Sequence, residues 1–293
     1  VDNNDGSVYA VGVCRTDTTG LPNGKQDLYL VKYSKSGVIQ WQRLLKTVDS
    51  TNARTYGRGV DLDGEGNVYV CAHSQNSSEG GSGSAYNIQL AKFNSSGTIQ
   101  WQRSYGQTGS HYTSPGMKVT SAGDVYIPVS AELYGSGISV GRRMGFVKYD
   151  SSGIKTGQTF FRTDNTTDTY SWIVGGLDVD SSDNVYLCGY GVQTTSSDPE
   201  WESAVPYVVK FRPTDTNTAH WGYYLTPSVG TYTSANSIAV NSSGDVFVAG
   251  TLSKTSSAFS SNAYTGYVLK IPYDYHDDTS DTSGIWCKRF ITG

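Results

Sequence analysis

Five short segments of the chain share one pattern of apolar and polar positions. Each has a glycine, asparagine or aspartate turn, then a valine, an aromatic residue and two or three small or apolar residues. Valine and aromatic residues favour extended backbone, and turn residues mark where a strand begins, so each copy predicts a β-strand. The copies occupy residues 6–12, 66–72, 123–129, 183–189 and 244–250. Their spacing of about 60 residues is typical of a propeller or another repeat array.

Each repeat contains three further recurrent elements. A segment led by small residues precedes the first strand, an apolar–lysine–apolar strand follows it, and a segment centred on tryptophan or phenylalanine comes last. Four strands per repeat in meander order predict an all-β fold, a five-bladed β-propeller with four-stranded antiparallel blades. We place the small-residue strand innermost and the tryptophan strand outermost, with Arg43 and Arg103 near solvent. The predicted blades, in a single domain, are residues 1–47, 48–106, 107–164, 165–226 and 227–293.

Composition and charge exclude some functional classes without naming one. The net charge is −4 and no stretch is strongly basic, which argues against a nucleic-acid partner. No apolar run approaches the ~18–20 residues that a membrane-spanning helix needs. The four histidines, His73, His111, His220 and His276, fall at unrelated positions in the repeats. Since no catalytic or metal-binding motif occurs either, the sequence predicts no enzyme activity and no cofactor.

Lysine and cysteine recur at defined positions. One lysine in each apolar strand should extend past its apolar neighbours to a carboxylate or carbonyl group. These lysines are Lys32, Lys92, Lys148, Lys210 and Lys270. Cys71 and Cys188 occupy the same position in repeats two and four, where we expect buried thiols. Cys14 and Cys287 lie in the first and last repeats, which ring closure would bring together, so they are candidates for a disulfide.

Candidate binding residues are few, and each has a structural alternative. Asp61 and Asp63 lie in a segment that resembles a calcium-binding loop, but the distal glutamate is missing and a hairpin turn explains it better. Trp201 and Tyr134 lie in predicted loops, where they either contact a glycan or protein partner or fold back over their own blades. Candidate glycosylation sites, which arise by chance in such chains too, are Asn76, Asn94, Asn165 and Asn241.

The first repeat lacks its innermost strand. Val1 and Asp2 match the end of that strand in repeat four, and no earlier residues are present in the sequence. We therefore expect the open edge to be completed by an upstream segment or by a strand from another chain, or blade one to have three strands. The links between the second and third strands are long in every repeat, so the face that carries them is the candidate interaction surface. These links are residues 15–26, 74–85, 130–143, 192–204 and 252–265.

The turn–Val–Tyr strand, the apolar–lysine strand and the Ile-Gln-Trp-Gln-Arg segments at residues 39–43 and 99–103 resemble the bacterial β-propeller repeat family. The resemblance is closest to repeats of bacteriophage virion structural proteins, and it departs where Phe161 replaces tryptophan. It implies a non-enzymatic structural or assembly module of a virion or extracellular filament, acting through protein–protein contacts and self-association. The alternative is a receptor- or glycan-binding recognition module that uses the long-loop face.

Overall fold

The protein is described from a computed structural model, and it is all-β in the residues that the structure describes. Those residues are 1–15, 26–45, 54–76, 85–107, 110–135, 138–161, 169–195, 198–213, 219–224, 232–253, 264–275 and 284–290. The strands are β1 (Val8–Arg15), β2 (Gln26–Tyr33), β3 (Ile39–Leu45), β4 (Arg54–Leu62), β5 (Val68–Asn76), β6 (Ala85–Phe93), β7 (Ile99–Tyr105), β8 (His111–Thr113), β9 (Lys118–Val119), β10 (Val125–Gly135), β11 (Ile138–Tyr149), β12 (Lys155–Phe161), β13 (Thr169–Val179), β14 (Val185–Thr195), β15 (Asp198–Phe211), β16 (Trp221–Tyr224), β17 (Tyr232–Val240), β18 (Val246–Ser253), β19 (Tyr264–Ile271) and β20 (Trp286–Phe290).

The strands follow the predicted meander. Repeat one contains β1–β3, repeat two β4–β7, repeat three β8–β12, repeat four β13–β16 and repeat five β17–β20. The register recurs as well, because Asp61 pairs with Tyr69 in repeat two and Asp178 pairs with Tyr186 in repeat four. Sequence pattern and pairing therefore agree on which strand is inner and which is outer within these repeats.

The chain forms two compact units. One comprises Val1–Gly141 with Phe146–Gln158, and the other comprises Arg142–Gly145 with Thr159–Gly293. In the first unit, apolar side chains of repeats one and two form one buried cluster. Its members are Tyr9, Leu28, Leu30, Val68, Val70, Ala72, Ala91 and Phe93. The predicted single domain and its blade boundaries stay predictions.

Several strands of repeats three and four differ from their predicted lengths. In repeat three, β10 and β11 extend into residues 130–143, which were predicted as a long link, and β14 and β15 do the same in repeat four. Serine, tyrosine and valine in these segments continue a pattern that suits strands. In contrast, the first strand of repeat three is divided into β8 and the two-residue β9, and Pro115, which lies between them, has no N–H to donate to a ladder.

The repeated lysines make the contacts that the sequence predicted. Lys32, Lys92, Lys148 and Lys270 each place Nζ within 3.6 Å of an aspartate in a turn of the same repeat. All five lysines also lie over the aromatic ring of the neighbouring strand, 4.9–5.9 Å from its centroid. The lysine, the aspartate and the ring thus form one structural unit that is copied through the chain.

In repeats two and four, the turn aspartate is the centre of this unit. Asp63 accepts hydrogen bonds from the backbone N–H groups of Glu65 and Asn67, and from the Tyr69 hydroxyl at 3.1 Å. Burial raises the pKa of Asp63, but the bonds from Asn67 and Tyr69 and the charge of Lys92 outweigh it, so the pKa lies below its usual value. Asp180 accepts from the backbone N–H groups of Ser182 and Asn184 and from the Tyr186 hydroxyl. Burial raises its pKa, but these hydrogen bonds outweigh it, so the pKa of Asp180 also lies below its usual value.

The outer strands are attached to the next repeat within the first unit, which the sequence did not predict. Trp101 donates from Nε1 to the Ser151 carbonyl at 3.0 Å, and Arg103 donates from Nε to the Gly153 carbonyl at 2.6 Å. Trp41 and Arg43 make the corresponding bonds to the turn of repeat two. Arg43 and Arg103 therefore connect neighbouring repeats through hydrogen bonds and are not simply solvent-exposed charges.

Candidate functional site

Three inner strands each contain one residue that is left out of the pairing. The register of β4, β13 and β17 shifts by one residue, which leaves Arg58, Gly175 and Asn236 unpaired. Bulges of this kind are over-represented beside active and binding sites because they re-aim a side chain. Arg58 and Asn236 are exposed, and Arg58 is the charged one. The bulge in β4 therefore presents a cation to solvent from a strand that is otherwise rich in small residues.

Arg58 lies among Tyr56, His73 and Ser114, and these four residues are called the Arg58 cluster. Arg58 donates from Nε to His73 Nδ1 at 3.2 Å, and its guanidinium carbon lies 6.0 Å from the centroid of the Tyr56 ring. The backbone N–H of Ser114 points at the other ring nitrogen, His73 Nε2. Within the described part of the chain, neither terminal nitrogen of Arg58 has a protein acceptor. The guanidinium is thus fixed at one edge and open at the other.

His73 is a neutral partner for this cation. Its side chain is 4% exposed, and burial, followed by the positive charge of Arg58, lowers its pKa to about 4. A neutral imidazole has one acceptor nitrogen, although both Arg58 and Ser114 point a donor at the ring, so its tautomer decides which bond forms. Since no carboxylate in the described residues pairs with Arg58, the charge of Arg58 remains available to a ligand.

Acid is expected to destabilise the first unit in two stages. His73 has a pKa of about 4 when folded and 6.5 otherwise, so the unfolded chain binds the extra proton and stability falls as the pH drops from 6.5 to 4. The loss is about 3 kcal/mol, at 1.36 kcal/mol per pKa unit. Below the ordinary aspartate pKa of 3.8, Asp63 adds a second loss because its pKa is lowered in the folded state.

Urea unfolding at pH 7, 5.5, 4.5 and 3.5 measures this dependence. Replacing His73 by glutamine should flatten the first stage and leave the second unchanged, since Asp63 is untouched. Equal slopes in the parent and the His73→Gln protein between pH 6.5 and 4 would contradict the assignment.

The sequence candidates have different outcomes. Asp61 accepts from the N–H groups of Leu62 and Val119, and Asp63 accepts from its own turn, so both carboxylates have structural hydrogen bonds. No group of three or more histidine, cysteine or acidic residues that could hold a metal occurs among the described residues. Calcium binding by Asp61 and Asp63 stays a prediction, because hydrogen bonds within the protein already explain the positions of both carboxylates.

The aromatic, asparagine and cysteine candidates remain largely untested. Trp201 lies in β15 and Tyr134 in β10, but their side chains are outside the described part of the chain, as is that of Asn76; Asn165 is outside it altogether. Asn94 and Asn241 cap exposed turns by accepting backbone N–H bonds, as in Ser96 N–H to Asn94 Oδ1 at 3.1 Å.

All four cysteines are free thiols. Cys71 and Cys188 are fully buried, as predicted, and burial raises the pKa of each to about 12. Cys14 and Cys287 belong to different units and are unpaired in this structure, so the predicted disulfide between them is not observed.

Sequence reasoning missed the Arg58 cluster. It did not single out Arg58, which directly precedes the predicted inner-strand segment Gly59–Leu62, and it dismissed His73 because the histidines share no spacing. The signal that could have found the site is local: Arg58 stands between Gly57 and Gly59 in a strand where the other repeats have small residues.

Among the described residues there is no helix of the length and apolar character needed to cross a membrane.

Comparison with known proteins places the fold. No family model and no curated protein matches the sequence. A protein of unknown function from Dyadobacter fermentans aligns with 99% of this chain and 80% of its own length, at 9% identity and a TM-score of 0.57. An α-L-arabinanase from Penicillium chrysogenum, solved with arabinobiose, aligns with 89% of this chain and 85% of its own, at 10% identity and a TM-score of 0.50. A family 25 polysaccharide lyase, an ulvan lyase, covers 99% of this chain and 77% of its own, at 9% identity and a TM-score of 0.48.

These comparisons correct two expectations about function, and of the predicted fold they support an all-β, propeller-like architecture. The α-L-arabinanase is a carbohydrate-active enzyme, which contradicts the expectation of a non-enzymatic structural or assembly module and of no enzyme activity. The virion and bacteriophage resemblance has no support beyond its motifs, because no family model matches. At these identities the likeness establishes the fold alone. The protein is an all-β chain whose solved relatives in structure are propeller-like.

Proposed function

We propose that the chain is a five-bladed propeller protein that acts on carbohydrate and binds an anionic polysaccharide through the Arg58 cluster. The five-blade count is supported by five copies of the four-stranded pattern, with the first copy lacking its inner strand. A crystal structure with six or more blades around one axis would contradict it. The bacterial β-propeller repeat motifs are consistent with this count.

One observation carries the functional proposal. Arg58 is an exposed guanidinium on an inner-strand bulge, it is held by a neutral histidine, and it lies over a tyrosine ring. A guanidinium with free terminal nitrogens binds carboxylate or sulfate groups with two parallel hydrogen bonds. The Tyr56 ring beside it supplies a flat apolar surface with a polar end, which suits the face of a sugar. The pair therefore matches a sugar that carries an acidic group.

The Arg58 cluster itself contains no carboxylate. Hydrolysis of a glycosidic bond usually needs two carboxyl groups, about 5–5.5 Å or 6.5–9.5 Å apart. The nearest acidic residue along β4 is Asp61, and both of its oxygens accept backbone N–H bonds. Activity assays should therefore look for elimination products from acidic polysaccharides as well as for new reducing ends.

Binding of polygalacturonate, which is acidic, should be compared with binding of linear arabinan, which is neutral. We expect Arg58→Gln to weaken polygalacturonate binding by at least tenfold, since a charged hydrogen-bond pair is lost. Arg58→Lys keeps the charge but cannot form two parallel hydrogen bonds with one acidic group. Its affinity for polygalacturonate should therefore fall between those of the parent and of Arg58→Gln. Calorimetry at low and high salt measures these affinities, and salt should weaken binding to the parent.

Asn236→Ala is the matched control, because Asn236 is the exposed bulge residue of repeat five and carries no charge. It should bind as the parent does. Unchanged binding by Arg58→Gln, or equal affinity for arabinan and polygalacturonate, would contradict the proposal. An extracellular location suits a protein that meets polysaccharides, and it stays a prediction.

A further inference from the structure

The inner edge of β1 has no partner strand in the described part of the chain. In repeats two, four and five, the Val–aromatic strand is flanked on both sides: β5 by β4 and β6, β14 by β13 and β15, and β18 by β17 and β19. In repeat one, β1 pairs with β2 alone. Alternate N–H and C=O groups of β1 therefore point away from the sheet, where its counterparts have a ladder.

One valine of β1 is also more exposed than its counterparts in the other repeats. Val8 is the first residue of β1 and is 40% exposed. The valines at the same position in the other repeats are 0–3% exposed: Val68, Val125, Val185 and Val246. Since the sequence around these valines is alike, the difference lies in what covers them. Val8 thus lies in a sequence pattern whose valine is buried in the other repeats, but its own side chain is exposed.

The turn before β1 fixes where a partner strand would begin. Asp2 donates its N–H to the Ser7 carbonyl, and Gly6 donates its N–H to the Asp2 carbonyl, as Asp63 and Gly66 do in the turn of repeat two. Asp2 is therefore the counterpart of Asp63, and Val1 is the counterpart of Leu62. This comparison sets the register, because Leu62 pairs with Val68 and Gly59 pairs with Cys71. The residue opposite Val11 should then be small.

We propose that the β1 edge binds an extended antiparallel strand with the pattern that β4, β13 and β17 share. Opposite Val11, Ala10 and Tyr9, that pattern is a small residue, an apolar residue, and aspartate or alanine; the apolar residue that follows, opposite Val8, corresponds to Val1. The shared positions are Gly59–Leu62, Gly176–Val179 and Ser237–Val240. The partner is a strand and not a folded surface, because backbone groups provide most of the binding and the register selects the side chains. This site shares no residue with the Arg58 cluster, and its test does not measure polysaccharide binding, so the two proposals can fail independently.

A peptide with the β4 sequence as far as Asp61, RTYGRGVD, is the probe, because Val1 already takes the place of Leu62. Added to the chain Val1–Gly293, it should slow amide hydrogen exchange at alternate residues of β1 by at least tenfold. The outer strand β3, also an open edge, is the internal control and should not change. Methylating the peptide nitrogens that face β1 should abolish the protection, whereas methylating the intervening nitrogens should leave it intact.

If the free peptide binds too weakly to be detected, the same strand can be joined covalently to the chain. The sequence RTYGRGVD placed directly before Val1 puts Val1 in the position of Leu62, and it should raise the Tm by about 2–4 °C or more. The same extension with proline at the two positions that face β1 should not raise it. Protection that ignores the methylation pattern, equal protection of β3, or no gain in Tm together with no peptide binding would overturn the proposal. So would alternate β1 amides that are protected in the free protein at all concentrations.

Discussion

Replacing Asp63 by alanine is expected to lower the free energy of unfolding by about 3–5 kcal/mol, the cost of breaking a buried ion pair from one side. The Asp63 side chain is 5% exposed, and that of Lys92, its partner at 3.6 Å, is 13% exposed. The substitution would also leave the Tyr69 hydroxyl without its acceptor on a ring that is fully buried. A buried donor without a partner costs about 1–3 kcal/mol.

Asp150→Ala is the matched control for this substitution. Asp150 also accepts two backbone N–H bonds inside a tight turn, from Ser152 and Ile154, both at 2.9 Å. It lacks a buried lysine and a buried tyrosine, and the turn is exposed, so its removal should cost only about 0.5–1.5 kcal/mol. Urea unfolding followed by far-ultraviolet circular dichroism measures both values. If the two substitutions cost the same, the lysine and tyrosine contribute nothing beyond the turn.

The turn chemistry is a part of the structure that the sequence could predict. In four repeats an aspartate or asparagine is followed, after four or five residues, by Val–Tyr or Val–Phe, and the later lysine has only apolar or aromatic residues directly beside it. Both observations are local, so they predicted strands and a lysine reaching a carboxylate. The exposure of Val8 could not be predicted in this way, since its sequence context matches that of the buried Val68.

Contacts between repeats were beyond the sequence. Arg103 reads as a surface residue because its neighbours are polar, yet it bonds to Gly153, 50 residues away. The Arg58 cluster depends on a one-residue register shift, and residue types alone do not place such a shift. Arg58 and His73 come together only after the strands pair. Repeated local pattern therefore predicted the framework, whereas the candidate site arises where one repeat differs from the others.

That difference has a consequence for function. A role common to every repeat is structural, as the contact between the lysine and the aromatic ring illustrates in all five copies. The bulge position varies, with arginine in β4, glycine in β13 and asparagine in β17. A variable residue at a fixed, irregular backbone position provides a ligand contact without disturbing the scaffold. This is why the Arg58→Gln and Asn236→Ala pair tests function with little expected change in stability.

Replacing Gly250 by alanine is expected to destabilise the second unit by about 1–3 kcal/mol or more, the usual cost of overpacking. A Cβ atom at Gly250 would overlap the Ser234 carbonyl oxygen and lie 2.7 Å from the Tyr267 ring. Tyr267 pairs with Gly250 across the strands and donates its hydroxyl proton to that same carbonyl at 3.1 Å. The Tyr267 ring crosses directly over Gly250. Neither this ring nor the Ser234 carbonyl can therefore move away from a new methyl group without losing the hydrogen bond that joins them.

The repeats supply the control and the rescue. Gly12 occupies the same strand position in repeat one, and no atom lies within 4 Å of a Cβ placed there, so Gly12→Ala should be tolerated. Repeat two has alanine at this position, Ala72, opposite Gln89 instead of a tyrosine. Adding Tyr267→Gln to Gly250→Ala should therefore recover part of the loss, because the flexible glutamine vacates the space above the new methyl group. Urea unfolding of the three variants measures the effect, and equal losses for Gly12→Ala and Gly250→Ala would show that the tyrosine does not require the glycine.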